Sequence, residues 1–181
     1  EVTAREALQL SLNVPAVALL DRIGPARLLQ ALKQAGVPLQ LPSGDSSPGL
    51  PIALGGVGID LEGLVTLYAA IADRGRVAPL RLAASDPPPA PQPFLSPVAA
   101  WYLTRILEEA PPPPNYVAPQ HRKQPHPIAF KTGTSYGFRD AWAVGVFGNY
   151  ALAVWTGNFD GQGNPVLVGG KAAAPLFFQI V

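Results

Sequence analysis

The chain has 181 residues and a mass of 19.0 kDa, with 18 Gly, 22 Pro, 48% apolar and only 14% charged residues. That charged fraction sits well below the roughly 25% of an ordinary soluble domain, and with so much apolar content it excludes disorder of the low-hydrophobicity, high-charge kind. The 13 basic and 12 acidic residues leave +1, which excludes the field that gathers nucleic acid or an anionic membrane surface, and the absence of cysteine excludes a disulfide scaffold and a thiolate zinc site.

No apolar run approaches the ~20 residues of a membrane span. The chain opens at Glu1, holds no methionine, and ends on Phe177-Phe178-Gln179-Ile180-Val181. Both ends read as cuts in a longer polypeptide, because exposed termini are usually polar.

Thr3 and Glu6 form a capping-box pattern ahead of a helix over residues 4–12. Pro15 predicts a break near Asn13, and a second helix follows over 16–23. Pro25 opens a third, with Leu28, Leu29 and Leu32 on one face and Gly36 as its terminator. Residues 37–58, dense in Pro, Gly and Ser, read as loop. Asp60 caps a helix whose Leu64, Leu67, Tyr68 and Ile71 repeat with helical period, and Gly75 ends it. The proline-rich stretch 84–93 reads as extended loop. Ser96-Pro97 starts a helix running to Glu109, stopped by Pro111.

From Ile128 the period becomes that of strands, predicted at 128–135, 141–147 and 151–157, with Gly148-Asn149 as a two-residue hairpin turn. The second and third strands are apolar on both faces, so helices should cover both sides. A final helix is expected over 170–181, its start blurred by Pro175. The order is α+β: a helical part, then an antiparallel sheet covered by helices.

Two local patterns carry chemistry. Lys131-Thr132-Gly133-Thr134 lies on the first strand, with Lys131 on one face and Thr132 and Thr134 on the other. Gly133 leaves the backbone open to close approach, and a strand edge of this kind can bind an extended peptide through its backbone. Two hydroxyls beside a lysine also suit a carboxylate. The plainer reading is a surface lysine in a glycine-broken strand. Ser11-Leu12-Asn13 lies where the first helix gives way to a turn, so Ser11 and Asn13 can share one cleft; the plainer reading is that they satisfy helix-end carbonyls.

Taken together, Ser-x-Asn and a Lys-Thr-Gly strand over a hundred residues later resemble two of the three motifs of the penicilloyl-serine transferases. The segments Ser11-Leu12-Asn13-Val14-Pro15-Ala16-Val17, Leu54-Gly55-Gly56-Val57-Gly58, Val154-Trp155-Thr156-Gly157 and Gly169-Gly170 extend the resemblance to class A penicillin-binding proteins. The wording from Lys131 through Ser135-Tyr136-Gly137-Phe138-Arg139-Asp140 to Trp142 is most similar to the 1C type. The resemblance implies the C-terminal half of a transpeptidase domain of β-lactamase/transpeptidase-like fold, with only part of the full domain present. Residues 1–127 would be its mostly helical part with the Ser-x-Asn motif, and 128–181 its strands with Lys-Thr-Gly and the final helix.

The implied activity is that of a serine-type D,D-transpeptidase, which cross-links peptidoglycan stem peptides through a seryl acyl-enzyme and binds β-lactams. By the resemblance Ser11 would relay a proton and Lys131 would hold and polarise that hydroxyl. Asn13 would bind a substrate amide, and Thr132, Gly133 and Thr134 would take the D-Ala-D-Ala end. The nucleophile motif Ser-x-x-Lys is not here: none of Ser11, Ser43, Ser46, Ser47, Ser85, Ser96 or Ser135 has a lysine three residues on. The family places it upstream, before Glu1, so this chain alone is expected to be inactive. It would work with the remainder of the domain at the periplasmic face of the bacterial inner membrane, through an anchor outside this chain.

The rival from another class is a non-catalytic β-lactam-sensing or interaction module of the same fold; a carboxypeptidase or β-lactamase is a further one. No metal, cofactor or nucleic-acid partner is expected. His121 and His126, beside Arg122 and Lys123, read as solvated loop residues, Arg139 and Asp140 as an ion pair or turn, and Asp21, Asp73, Glu108 and Glu109 as solvated helix faces.

Overall fold

The computed structural model describes residues 1–41, 49–113 and 126–181. Three helices come first: α1 (Ala4–Gln9), α2 (Asn13–Ile23) and α3 (Pro25–Gln34). The capping box forms, with the Glu6 N–H donating to Thr3 Oγ1 at 3.2 Å and the Thr3 N–H to Glu6 Oε2 at 2.8 Å. Two boundaries differ from expectation: α1 ends at Gln9, and α2 begins at Asn13 rather than at 16. Pro15 is the third residue of α2, where a backbone N–H would have no intrahelical acceptor, so the first turn admits it without a lost bond. Gly36 closes α3 at φ +77°, with the Gly36 N–H donating to the Lys33 carbonyl (3.1 Å) and the Val37 N–H to that of Leu32 (2.9 Å). This pair of bonds is the Schellman closure.

The segment expected to be loop holds a short 3₁₀ turn, Leu50–Leu54, and an isolated bridge between Gln40 and Gly58. Helix α4 (Leu61–Ala72) is capped by Asp60, whose Oδ1 accepts from the Gly63 N–H at 2.7 Å. Two strands that the sequence does not announce follow, β1 (Arg76–Val77) and β2 (Gln92–Pro93), a two-residue antiparallel pair. Helix α5 (Pro97–Glu108) starts on Ser96 as expected.

The sheet is β3 (Ile128–Thr134), β4 (Asp140–Phe147) and β5 (Tyr150–Gly157), antiparallel in the order β3-β4-β5. The Gly148-Asn149 turn joins the last two, with Gly148 at φ +53°. Helix α6 (Gly169–Ile180) completes the chain. Strand alternation sorts the side chains into two cores, as the two-faced apolar pattern predicted. On one face Ile128, Phe130, Ala141, Ala143 and Val154 pack against Ala173, Ala174, Phe177 and Phe178 of α6. On the other, Ala129 and Val146 meet Leu107 of α5, Tyr68 of α4 and Leu8 of α1. Pro175 stands inside α6 on its exposed side, while Ala173, Ala174 and Phe177 on the inner side are fully buried. That packing holds the helix through a residue whose missing N–H would otherwise end it. Val14, Leu19 and Ile23 of α2 stay exposed, in keeping with the low charge fraction.

Candidate active site

Helix α1 closes by the same Schellman geometry as α3, but with serine in the glycine position. The Ser11 N–H donates to the Leu8 carbonyl (3.3 Å) and the Leu12 N–H to that of Ala7 (2.9 Å), and Ser11 has φ +53°. A residue with a Cβ is disfavoured there by roughly 1–2 kcal/mol. The geometry turns the chain so that the Ser11 hydroxyl accepts a hydrogen bond from Lys131 Nζ on β3, 120 residues away. Helix α1 is anchored for this: Leu8 enters the sheet core, Gln9 Nε2 donates to the Ile106 carbonyl at 2.9 Å, and Arg5 pairs with Glu109.

Lys131 is half-buried, and its Nζ also donates to the Thr132 carbonyl at 2.9 Å. Burial holds the Lys131 ammonium below its ordinary pKa of 10.5. Asn13 is the exposed first residue of α2, two residues from Ser11, and no hydrogen bond holds its side chain among the described residues.

The other half of the site is the outer edge of β3. The Ser135 N–H donates to the Asp140 carbonyl at 3.0 Å, one backbone bond in the direction of a hydrogen-bonded pair just past Thr134–Ala141. Antiparallel pairs alternate, so Thr132 and Thr134 direct their own N–H and C=O away from β4, toward the open edge. Their side chains lie on the face opposite Lys131, as the sequence predicted. Thr134 Oγ1 accepts from the N–H of Gly169, the first residue of α6, at 3.0 Å. That leaves the Thr134 O–H free to donate. A Cβ at Gly169 would run into the Gly133 carbonyl and come within 2.8 Å of that of Trp142. Only glycine lets α6 abut the Lys-Thr-Gly strand. The sequence marks Gly169 as part of a resemblance but not its task, because a backbone N–H carries no side-chain signature.

Asp140 is the residue that sequence reasoning undervalued. It does not pair with Arg139: the ion pairs among the described residues are Arg5–Glu109, Arg76–Asp73 and Arg105–Glu108. Its carboxylate instead accepts from Ser135 Oγ and from Trp155 Nε1, each at 2.8 Å. Three carboxylates read as solvated faces, Asp73, Glu108 and Glu109, are the acids of those pairs. His126 is exposed beside the Gly148 turn, and no cluster able to hold a metal occurs among the described residues. His121, Arg122 and Lys123 lie outside the described residues.

An ammonium bonded to a serine hydroxyl beside a strand edge with two threonine hydroxyls can hold an extended acyl chain and move a proton at one end of it. The penicillin binding protein transpeptidase domain family matches residues 1–181. The chain belongs to this family. As a transpeptidase-domain chain it is 42% identical over 180 residues to penicillin-binding protein 1C of Escherichia coli K12, covering 99% of this chain and 23% of that protein. It is 27% identical over 191 residues to penicillin-binding protein 1B of Vibrio cholerae, covering 99% and 24%. Among solved structures it is similar to penicillin-binding protein 1A from Haemophilus influenzae, with TM-score 0.74 at 18% identity, covering 97% of this chain and 33% of that one. An imipenem acyl-enzyme complex of penicillin-binding protein A from M. tuberculosis has TM-score 0.66 at 23% identity, covering 97% and 46%. These two share its fold. The transpeptidase-domain chain thus spans about a quarter of the length of the curated relatives it matches.

Proposed function

We propose that the chain is the substrate-binding part of a peptidoglycan D,D-transpeptidase, with residues 1–127 and 128–181 two parts of one transpeptidase domain. It takes D,D-peptide stems and β-lactams, is completed by the remainder of the domain, and works at the periplasmic face of the bacterial inner membrane through an anchor elsewhere in the parent protein. One observation carries this reading: the bond between Lys131 Nζ and Ser11 Oγ, beside the open Thr132–Thr134 edge.

The acyl step runs as follows. A serine oxygen from the rest of the domain attacks the penultimate D-Ala carbonyl, or the β-lactam carbonyl. A C–O bond forms and the amide C–N bond breaks; the proton the attacking hydroxyl gives up is relayed to Ser11, which hands its own to the departing nitrogen. Lys131 holds the Ser11 hydroxyl in line and adds positive potential to the cleft. The Thr134 N–H, turned to the open edge, meets the oxygen that gains charge, with the nucleophile's own N–H as its partner. Thr132 and Thr134 hydroxyls take the terminal carboxylate, and Asn13 binds a substrate amide. Without the serine nucleophile this chain alone is inactive.

Lys131 gives the reading a pH signature. Its folded pKa is depressed, so the cationic form that holds Ser11 is lost below the ordinary lysine value as pH rises. The alkaline limb of penicillin acylation by the parent protein should fall below pH 10.5 and shift to higher pH in Lys131→Arg, whose guanidinium stays charged. Product analysis with a D-Ala-D-Ala peptide, with and without an amine acceptor, tests the reaction itself. Transfer product in the presence of the amine supports it. Hydrolysis alone makes the parent a carboxypeptidase, and no turnover under either condition makes it a non-catalytic module.

A further inference from the structure

The four bonds around Ser135 and Asp140 sit directly after the Lys-Thr-Gly-Thr segment. The Ser135 N–H donates to the Asp140 carbonyl at 3.0 Å and the Asp140 N–H to Ser135 Oγ at 2.9 Å. Ser135 Oγ–H in turn donates to Asp140 Oδ2 at 2.8 Å, and Trp155 Nε1–H to Asp140 Oδ1 at 2.8 Å. Indole nitrogen can only donate, so a carboxylate with two acceptor oxygens is the group that satisfies both partners at once. The third strand is cut to fit. Gly157 lies opposite Asp140, and a Cβ there would meet the Trp155 ring at 2.5 Å, so glycine is what lets the indole lie across the strand to reach the carboxylate.

This knot joins the two ends of a tight connection, whose own backbone bond runs from the Phe138 N–H to the Ser135 carbonyl at 3.2 Å. Between its ends the chain passes through Gly137 at φ +72° and Phe138 at φ +55°, and Tyr136 is 85% exposed. A positive φ at phenylalanine persists only where its surroundings over-determine it. The Ser135 N–H to Asp140 carbonyl bond lies one step past the last ladder pair, Thr134–Ala141, and continues the alternation that turns the Thr134 N–H to the open edge.

We propose that Asp140 is a positioning residue for acyl transfer: acting through Ser135 and braced by Trp155, it holds the Thr134 N–H at the place where the oxyanion forms. The inference rests on the transpeptidase reading above. It goes beyond the Lys-Thr-Gly motif in making the residue that aims this donor lie outside that motif, on the neighbouring strand.

The test uses the full-length parent protein and a fluorescent penicillin, with the acylation rate measured against penicillin concentration to separate the chemical step from binding, and with release of the adduct followed afterwards. Asp140→Asn keeps the size of the side chain but offers one acceptor oxygen where two donors converge. It should slow the chemical step about 10-fold to 100-fold, less than the outright loss of an oxyanion-hole donor, while apparent binding changes little. Release of the adduct should slow by a similar factor, because it passes through the same oxyanion. Ser135→Ala, which removes one hydroxyl and serves if the first variant folds poorly, should show the same paired slowing, and the double variant should be no slower than the slower single one. Both single variants within twofold of wild type in both steps, with wild type labelled normally, would overturn the inference alone. Weakened binding at unchanged chemical and release rates would also overturn it, since that describes a merely structural group. Wild-type protein that takes no label would overturn the transpeptidase reading and this inference with it.

Discussion

In the full-length parent protein, Ser11→Gly and Ser11→Ala should lose penicillin acylation alike, and the glycine variant should be the more stable by about 1 kcal/mol. Both remove the hydroxyl that accepts from Lys131, so that loss cancels between them. The loss in rate should be about 10²-fold to 10⁴-fold, the range of a positioned proton-transfer group. They differ in the backbone. Ser11 has φ +53° at the position that Gly36 occupies at φ +77° in the matching closure of α3. Alanine keeps the strain and glycine relieves it. Stability is thus given up to place a hydroxyl where the helix end would have taken glycine. Acylation rates and thermal melts of the two variants are sufficient; equal melting temperatures would show that the turn at Ser11 carries no strain.

The second large effect belongs to Gly169. Gly169→Ala places a methyl group against the Gly133 and Trp142 carbonyls, and backbone cannot give way as a side chain does. The expected loss is about 1–3 kcal/mol of stability, as for other overpacked sites. Function should suffer as well. Moving α6 off β3 breaks the bond from the Gly169 N–H to Thr134 Oγ1, so the hydroxyl is no longer held with its proton free for a carboxylate. A hydrogen bond to a charged group contributes about 1.5–3 kcal/mol, so apparent binding of penicillin should weaken about 10-fold or more. Gly170→Ala is the control one residue on. Nothing lies within 4 Å of a Cβ there, and alanine in a helix gains about 0.5–1 kcal/mol over glycine. Denaturant titrations and penicillin binding on the two variants should separate them in opposite directions; like behaviour would contradict the close docking of α6.

The halves of the site differ in how far the sequence discloses them. Lys131, Thr132 and Thr134 are legible because strand alternation needs only period two, and the observed faces follow it. The pairing of Ser11 with Lys131 is not a matter of period at all. It spans 120 residues, and only the motif resemblance joined them in advance. Helix starts marked by Thr3, Asp60 and Ser96 were readable because a capping side chain is a local event. The start of α2 was not, because Pro15 suits a first turn as well as it suits a break before a helix. The β1–β2 pair is two residues long and joins segments with no alternation to read. Asp140 and Gly169 bond through backbone groups and a cross-strand indole, so the resemblance marks both positions but neither one's contacts.

The central claim is that this chain supplies the Ser-x-Asn and Lys-Thr-Gly halves of an acyl-transfer site whose nucleophile lies elsewhere in the parent protein. The direct measurement is to label the full-length parent with a fluorescent penicillin, digest it, and locate the adduct by mass spectrometry. The adduct should sit on a serine followed three residues later by lysine, outside the residues numbered here, and Ser11→Ala should slow its formation. An adduct on Ser11, Ser96, Ser135 or any other serine of this chain would contradict the assignment.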